Sequence, residues 1–198
     1  MGARLAGVLA LVALFALPPL LPKYHLEVLI SVVFWAYLGI AWNLLGGYAG
    51  QFSFGHAAFF GIGAYTSTLL LLRAGMSPWL GMLAGGAFAA AFGLFQGYLS
   101  FRYGLRGPYF SLVTLAFAEM LRVVSVNAKV VGASLGLVVP TGTPAPLLFV
   151  FAGKLPYYYV ILAMTVLALL INGGIARGRL GYALIAVREN EDAGRRRG

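Results

Sequence analysis

The chain has no cysteine, only two histidines and only five acidic residues among its 198. The first absence excludes disulfides, thiolate metal sites and cysteine nucleophiles. His25 and His56 stand too far apart in sequence to form a short metal-ligand pair. Glu119 is the one carboxylate placed well inside an apolar run, so two-carboxylate hydrolysis and a proton relay lack a second member. No glycine-rich loop ending in Gly-Lys is present to cradle a phosphate, so no nucleotide site and no cofactor are expected. An intramembrane enzyme is the reading with the least support. Charge is scarce as well: 10% of residues are charged, against about 25% in soluble domains.

What fills the chain is apolar. Hydrophobic residues make up 61% and the mean hydropathy is +0.90. A soluble fold of this size could not hide that much apolar surface, because its surface-to-volume ratio leaves too much exposed. The fold class that follows is all-α, a polytopic transmembrane helical bundle. Each span takes roughly 20 apolar residues, which leaves room for at most about six to eight and for no large extramembrane catalytic domain. The net charge of +9 would point to nucleic acid in a soluble protein. In a membrane protein it points first to basic cytoplasmic loops and contact with the bilayer.

Six spans are expected. The first apolar run, Leu5 to Leu17, follows Arg4 and is closed by Pro18, Pro19 and Pro22. It resembles a signal peptide but lacks a small-residue cleavage site, so an uncleaved first helix is expected. Later runs cover Leu26 to Leu45, Phe54 to Leu72, Pro78 to Leu99, Pro108 to Val126 and Tyr157 to Ile171, with a polar tail from Asn172. Pro78 suits a first helical position. An N-terminus inside puts nine basic residues in inner loops and five outside, the direction the positive-inside rule favours. Residues 1–176 then form the membrane domain and 177–198 a cytoplasmic segment and tail.

Four features stand out along these runs. Gly81, Gly85, Ala89, Gly93 and Gly97 recur every four residues, leaving a groove without bulky side chains on one helix face. Such a face lets a neighbouring helix approach closely, as bundle packing or as a surface that slides. The stretch from Gly46 to His56 holds four glycines with Gln51, Ser53 and His56 and makes a poor regular helix. It is either an inner loop with a frayed helix start or a broken segment lining a pathway, where irregular backbone survives by facing protein or water. Tyr65 follows on the next helix as a further pathway candidate. Glu119 and Arg122 lie three apart on one helix, where opposite charges meet; they either neutralise each other near the outer interface or line the path. Finally, Leu180, Ala183, Leu184 and Val187 form an apolar stripe in a segment whose other face is charged. That short helix can lie on a membrane surface or dock into a groove of a soluble partner.

Four stretches together resemble the permease subunits of ATP-binding-cassette importers for branched-chain amino acids, the LivM-like branch. They are Trp42-Asn43-Leu44-Leu45-Gly46-Gly47-Tyr48-Ala49-Gly50-Gln51-Phe52-Ser53-Phe54-Gly55-His56 running on to Tyr65-Thr66, Leu105-Arg106-Gly107-Pro108-Tyr109-Phe110 leading into Glu119 and Arg122, Gly132 to Leu137, and the tail helix. The resemblance implies a multi-pass protein of the cell's inner membrane. It also implies that Gly181, Ala183, Ala186, Arg188, Glu189 and Glu191 belong to a coupling helix seated on an ATPase subunit. The implied partners are ABC ATPase subunits, a sister permease and an external substrate-binding protein, with no nucleic acid. Members continue past the coupling helix with further spans, whereas this sequence ends in Gly194-Arg195-Arg196-Arg197-Gly198; the expectation is a C-terminally truncated chain. A permease for urea, short amides or sugars, and an inactive membrane fragment, are the competing readings.

Overall fold

The computed structural model describes residues 12, 14–139, 145–182, 184, 185 and 188. It is helical throughout, and among the described residues the one strand-like pairing is an isolated bridge between Ala145 and Val150. Among the described residues five helices are long and apolar enough to cross a membrane: α1 (Lys23–Asn43), α2 (His56–Ala74), α3 (Pro78–Arg102), α4 (Pro108–Asn127) and α5 (Leu155–Arg177). The protein is a multi-pass membrane protein with an all-α fold. The first expected run, 5–17, falls mostly outside the described residues.

Two of the expected boundaries need correction. The helix begun by α1 does not stop at Leu45 but continues as a π turn over Leu44–Tyr48, taking Gly46 and Gly47 into helical structure. Leaving a helix inside lipid strands backbone N–H and C=O groups at several kcal/mol each, more than the ~1 kcal/mol a glycine costs. The last helix likewise does not give way to a polar tail at Asn172. It runs on to Arg177, because Asn172 is buried and its Nδ2 donates to the Ile40 carbonyl at 2.8 Å.

The chain divides into two compact units. In one, α1 and α5 pack side by side in the same direction. Lys154 pairs with Glu27 where the two helices start, and Asn172 reaches Ile40 near where they end. Leu26, Val33, Tyr158 and Leu162 form the buried core between them. Tyr158 is completely buried, a position open to tyrosine because its hydroxyl donates to the Leu14 carbonyl at 2.8 Å.

In the other unit α2 and α3 form an antiparallel hairpin. Gly75 closes α2 in the left-handed conformation at φ +60°, its N–H bonded to Leu71 while Met76 bonds Leu70, and Pro78 opens α3. The small-residue stripe meets α2 unevenly. A Cβ on Gly81 would lie 2.6 Å from the Ser67 hydroxyl, and one on Gly85 would lie 2.7 Å from the Gly63 carbonyl oxygen. A Cβ on Gly93 would lie 3.3 Å from the Phe59 ring, Ala89 is half-buried, and one on Gly97 would meet Phe101 of its own helix. The loop after α4 is stitched onto this hairpin: Arg73 donates to the Val130 carbonyl, Trp79 to Pro146 and Ser77 to Leu147.

This packing makes a sharp contrast between adjacent glycines. Gly85→Ala is expected to destabilise the purified protein by about 1–3 kcal/mol, since backbone, not a flexible side chain, blocks the added methyl. Gly86→Ala, with open space around it, should be neutral or stabilising. Thermal or SDS unfolding of both variants checks the difference.

Candidate functional site

Beyond the π turn the chain leaves helical geometry for seven residues, 49–55. The turn is closed by the Gln51 N–H bonding the Leu45 carbonyl at 3.1 Å, and Gly50 takes φ +68°. From there burial alternates as on a strand: Ala49, Gln51, Ser53 and Gly55 point inward, while Phe52 and Phe54 are exposed. Gln51 and Ser53 are each only 2% exposed.

Among the described residues no strand pairs with this extended backbone; hydroxyls of α4 meet two of its groups instead. Ser111 Oγ donates to the Phe52 carbonyl at 2.6 Å, and the Phe54 N–H donates to Thr114 Oγ1 at 3.1 Å. Thr114 in turn donates to the Ser111 carbonyl at 2.8 Å, and Ser53 Oγ accepts from the Gly55 N–H. Gly55 is required where it stands, because a Cβ there would lie 2.8 Å from the Thr114 carbonyl oxygen. The segment is thus clamped to α4 one helical turn at a time. Ser111 and Thr114 were not singled out from sequence. Their signal was two hydroxyls spaced three apart on one face of an apolar helix, opposite a glycine-rich stretch.

The five pathway candidates separate. Gln51 and Ser53 are enclosed in the clamped segment. His56 opens α2 with its ring edge against Phe59, and its Nδ1 is buried with no hydrogen-bond partner. Tyr65 and Glu119 instead line a common cleft of about 620 Å³ between α2 and α4. Its walls are mostly apolar, with Ala58, Ile62, Leu115 and Ala118 among them, and it also holds Arg122. Glu119 and Arg122 are bidentate: Arg122 Nε lies 2.9 Å from each carboxylate oxygen, and Nη2 lies 2.5 Å from Oε1.

The segment after α5 turns sharply. Gly178 is extended, and residues 179–182 resume helical structure. Gly181 sits so close to the end of α5 that a Cβ would be 2.4 Å from the Ile175 carbonyl oxygen. Arg188 directs its guanidinium at the π turn, with Nη1 donating to the Gly47 carbonyl at 3.1 Å. Its aliphatic stem fills the space beside Gly50, where a Cβ would meet Arg188 Cγ at 2.9 Å. Gly50 therefore has two reasons to be glycine, its left-handed backbone and its contact with Arg188. Ala183, Ala186, Glu189 and Glu191 lie outside the described residues. No group of three or more His, Asp or Glu that could hold a metal occurs among the described residues.

Residues 24–198 match the family described as branched-chain amino acid transport system / permease component. The chain is 30% identical to the high-affinity branched-chain amino acid transport system permease protein LivM of Escherichia coli (strain K12), over 96% of this chain and 50% of that protein. It is 29% identical to the permease protein of the same description from Salmonella typhimurium, over 92% of this chain and 48% of that one. The chain thus spans about half the length of the curated relatives it matches. No solved structure matches it. An apolar five-helix architecture broken by a clamped glycine-rich segment, with a family match that runs from the start of α1 to the last residue, places the chain in the branched-chain amino acid transport permease family.

Proposed function

We propose that this chain is a permease subunit of an ATP-binding-cassette importer, forming part of the path that carries branched-chain amino acids across the cell's inner membrane. Its partners in that reading are ABC ATPase subunits, a sister permease and an external substrate-binding protein. The chain itself performs no chemistry; it converts a push from the ATPases into movement of its helices. Family membership supports the substrate class, and the relatives are transport permeases by description.

The observation that carries the mechanical part is the grip of Arg188 on the glycine-rich turn. A segment docked on an ATPase that moves by a few ångströms must hand that movement to the spans through some contact. Arg188 offers one, a charge-assisted hydrogen bond to Gly47 backed by a stem packed on Gly50. From the turn, the backbone bonds of Phe52 and Phe54 lead to Ser111 and Thr114 on α4. Glu119 stands five residues further along the same helix, roughly 7.5 Å by helical rise. A pull on the turn therefore shifts the wall of the cleft. Gly181 serves by letting the coupling segment fold tightly against the end of α5; in this reading Ala183, Ala186, Glu189 and Glu191 take part in coupling to the ATPase. Gly81 and Gly85 hold α2 and α3 together as one moving piece.

The test is substrate-stimulated ATP hydrolysis in membranes reconstituted with the ATPases, sister permease and binding protein. Arg188→Gln removes the charged donor, a bond class worth about 1.5–3 kcal/mol, and should cut stimulation about tenfold or more while the ATPases still co-purify. Unchanged stimulation would remove Arg188 from the coupling route. Gly50→Ala should impair coupling as well, through left-handed strain of about 1–2 kcal/mol and the clash with Arg188 Cγ. Adding Arg188→Ala relieves the clash but also loses the bond to Gly47, so the double variant should still unfold at a lower temperature than the native chain, a result read by thermal unfolding.

A further inference from the structure

We infer that the Glu119–Arg122 pair is the head-group site for a zwitterionic amino acid, and that the apolar wall beside it receives the branched side chain. The inference rests on the permease reading for its substrate class, and the assignment of residues goes beyond it.

The cleft has the size of small-molecule sites, which commonly run ~300–1,000 Å³ with few polar groups on an apolar lining. Its charged groups are one anion and one cation held together. Their side chains remain 56% and 63% exposed, in that order, although both stand on a membrane-spanning helix. A charge pair left against lipid is costly, so an intramembrane pair of this kind faces protein or a wet cavity. The bidentate contact occupies Nε and one hydrogen of Nη2 of Arg122. The two hydrogens of Nη1 and the second of Nη2 stay available, and the carboxylate keeps lone-pair capacity. A ligand carboxylate fits the outer edge of the guanidinium and a ligand ammonium the outer edge of the carboxylate.

Neutrality selects the ligand class. The pair carries no net charge, so a lone anion or cation would leave an unbalanced charge within a membrane-spanning segment, where ionisable groups are costly. An α-amino acid brings both signs a few ångströms apart and none in sum. With its head groups on the pair, its side chain lies along Leu115 and Ala118 of α4 and Ile62 of α2, with Ala58 leaving room for a branch. Tyr65 lines the cleft on the α2 side. Urea, short amides and sugars lack the two charges the pair is built to receive.

The experiment is equilibrium binding of radiolabelled L-leucine to the purified chain in lipid nanodiscs. Saturable binding is expected, displaced by L-valine and L-isoleucine. Isopentylamine and 4-methylpentanoate, each missing one head group, should compete at least tenfold more weakly. L-alanine should also compete about tenfold more weakly, since missing methylenes forfeit apolar contact. Glu119→Gln and Arg122→Gln should each weaken leucine binding at least tenfold, and Leu83→Ala on the exposed face of α3 should not. The exchanged pair Glu119→Arg with Arg122→Glu keeps the ion pair and serves as the folding control. A merely structural role predicts that it restores binding, whereas the inference predicts that it does not, because the head groups trade places relative to the wall. Absence of leucine binding to the native chain, or full binding by either glutamine variant, overturns the site. The permease reading is judged separately, by substrate-stimulated ATP hydrolysis of the reconstituted complex: stimulation that persists while leucine binding fails removes the site and leaves the reading.

Discussion

Residues 49–55 are the point on which the unit formed by α2, α3 and α4 depends. An extended backbone between two membrane helices has polar groups that lipid cannot satisfy, at several kcal/mol for each one left bare. A soluble protein would solve this with water or a neighbouring strand. Here two hydroxyls on α4 take the place of a strand, meeting the Phe52 carbonyl and the Phe54 N–H. The arrangement fixes the register of the segment against α4 and thereby where α2 begins. It also explains the inward line of small or polar side chains, Ala49, Gln51, Ser53 and Gly55, where a larger group would push the segment off its donors.

The two neighbours of α2 are held by different physics, and the difference bears on motion. Toward α3 the contact is backbone against backbone, with Gly81 and Gly85 admitting Ser67 and Gly63 at distances that exclude even a methyl group. In lipid such close approach supplies the van der Waals attraction that hydrophobic burial cannot, and it leaves little freedom to slide. Toward α4 the contact is tight only at the Thr114 level and opens along the helices into the cleft that holds Tyr65 and Glu119. A packed interface and an open one on opposite sides of a single helix favour a hinge at the clamped end over a translation of the whole helix.

Much of this was legible from residue patterns. Apolar runs located five helices, and the proline starts at Pro78 and Pro108 held to the residue, because proline at a first helical position costs nothing and fixes φ. The errors lay where a local rule met the lipid environment. Gly46 and Gly47 read as helix breakers, yet a π turn widens the helix and carries it through them. Asn172 read as the start of a polar tail, yet one hydrogen bond to Ile40 keeps it inside α5. The spacing of Ser111 and Thr114 was an ambiguous signal, since hydroxyls on such helices commonly bond their own preceding turn. Only knowledge of what lies opposite them reveals their second role. The Glu119–Arg122 pair could be read from its spacing, but not the cleft it borders, which requires the path of α2.

Arg188 and Gly50 show how one glycine can serve conformation and contact together. Had φ at Gly50 been negative, any small residue could have closed the turn and Arg188 would have met a Cβ. Had Arg188 been short, the positive φ alone would still favour glycine but would leave the Gly47 carbonyl to other donors. With both, the chain gains a joint in which a long cation reaches past a bare backbone to a carbonyl of the π turn. The position matters here, because Gly47 lies in the last turn before the helix ends at Tyr48, where carbonyls have no partner further along their own helix. The joint is therefore available because the helix ends there, and that ending is bearable because the segment that follows is clamped to α4.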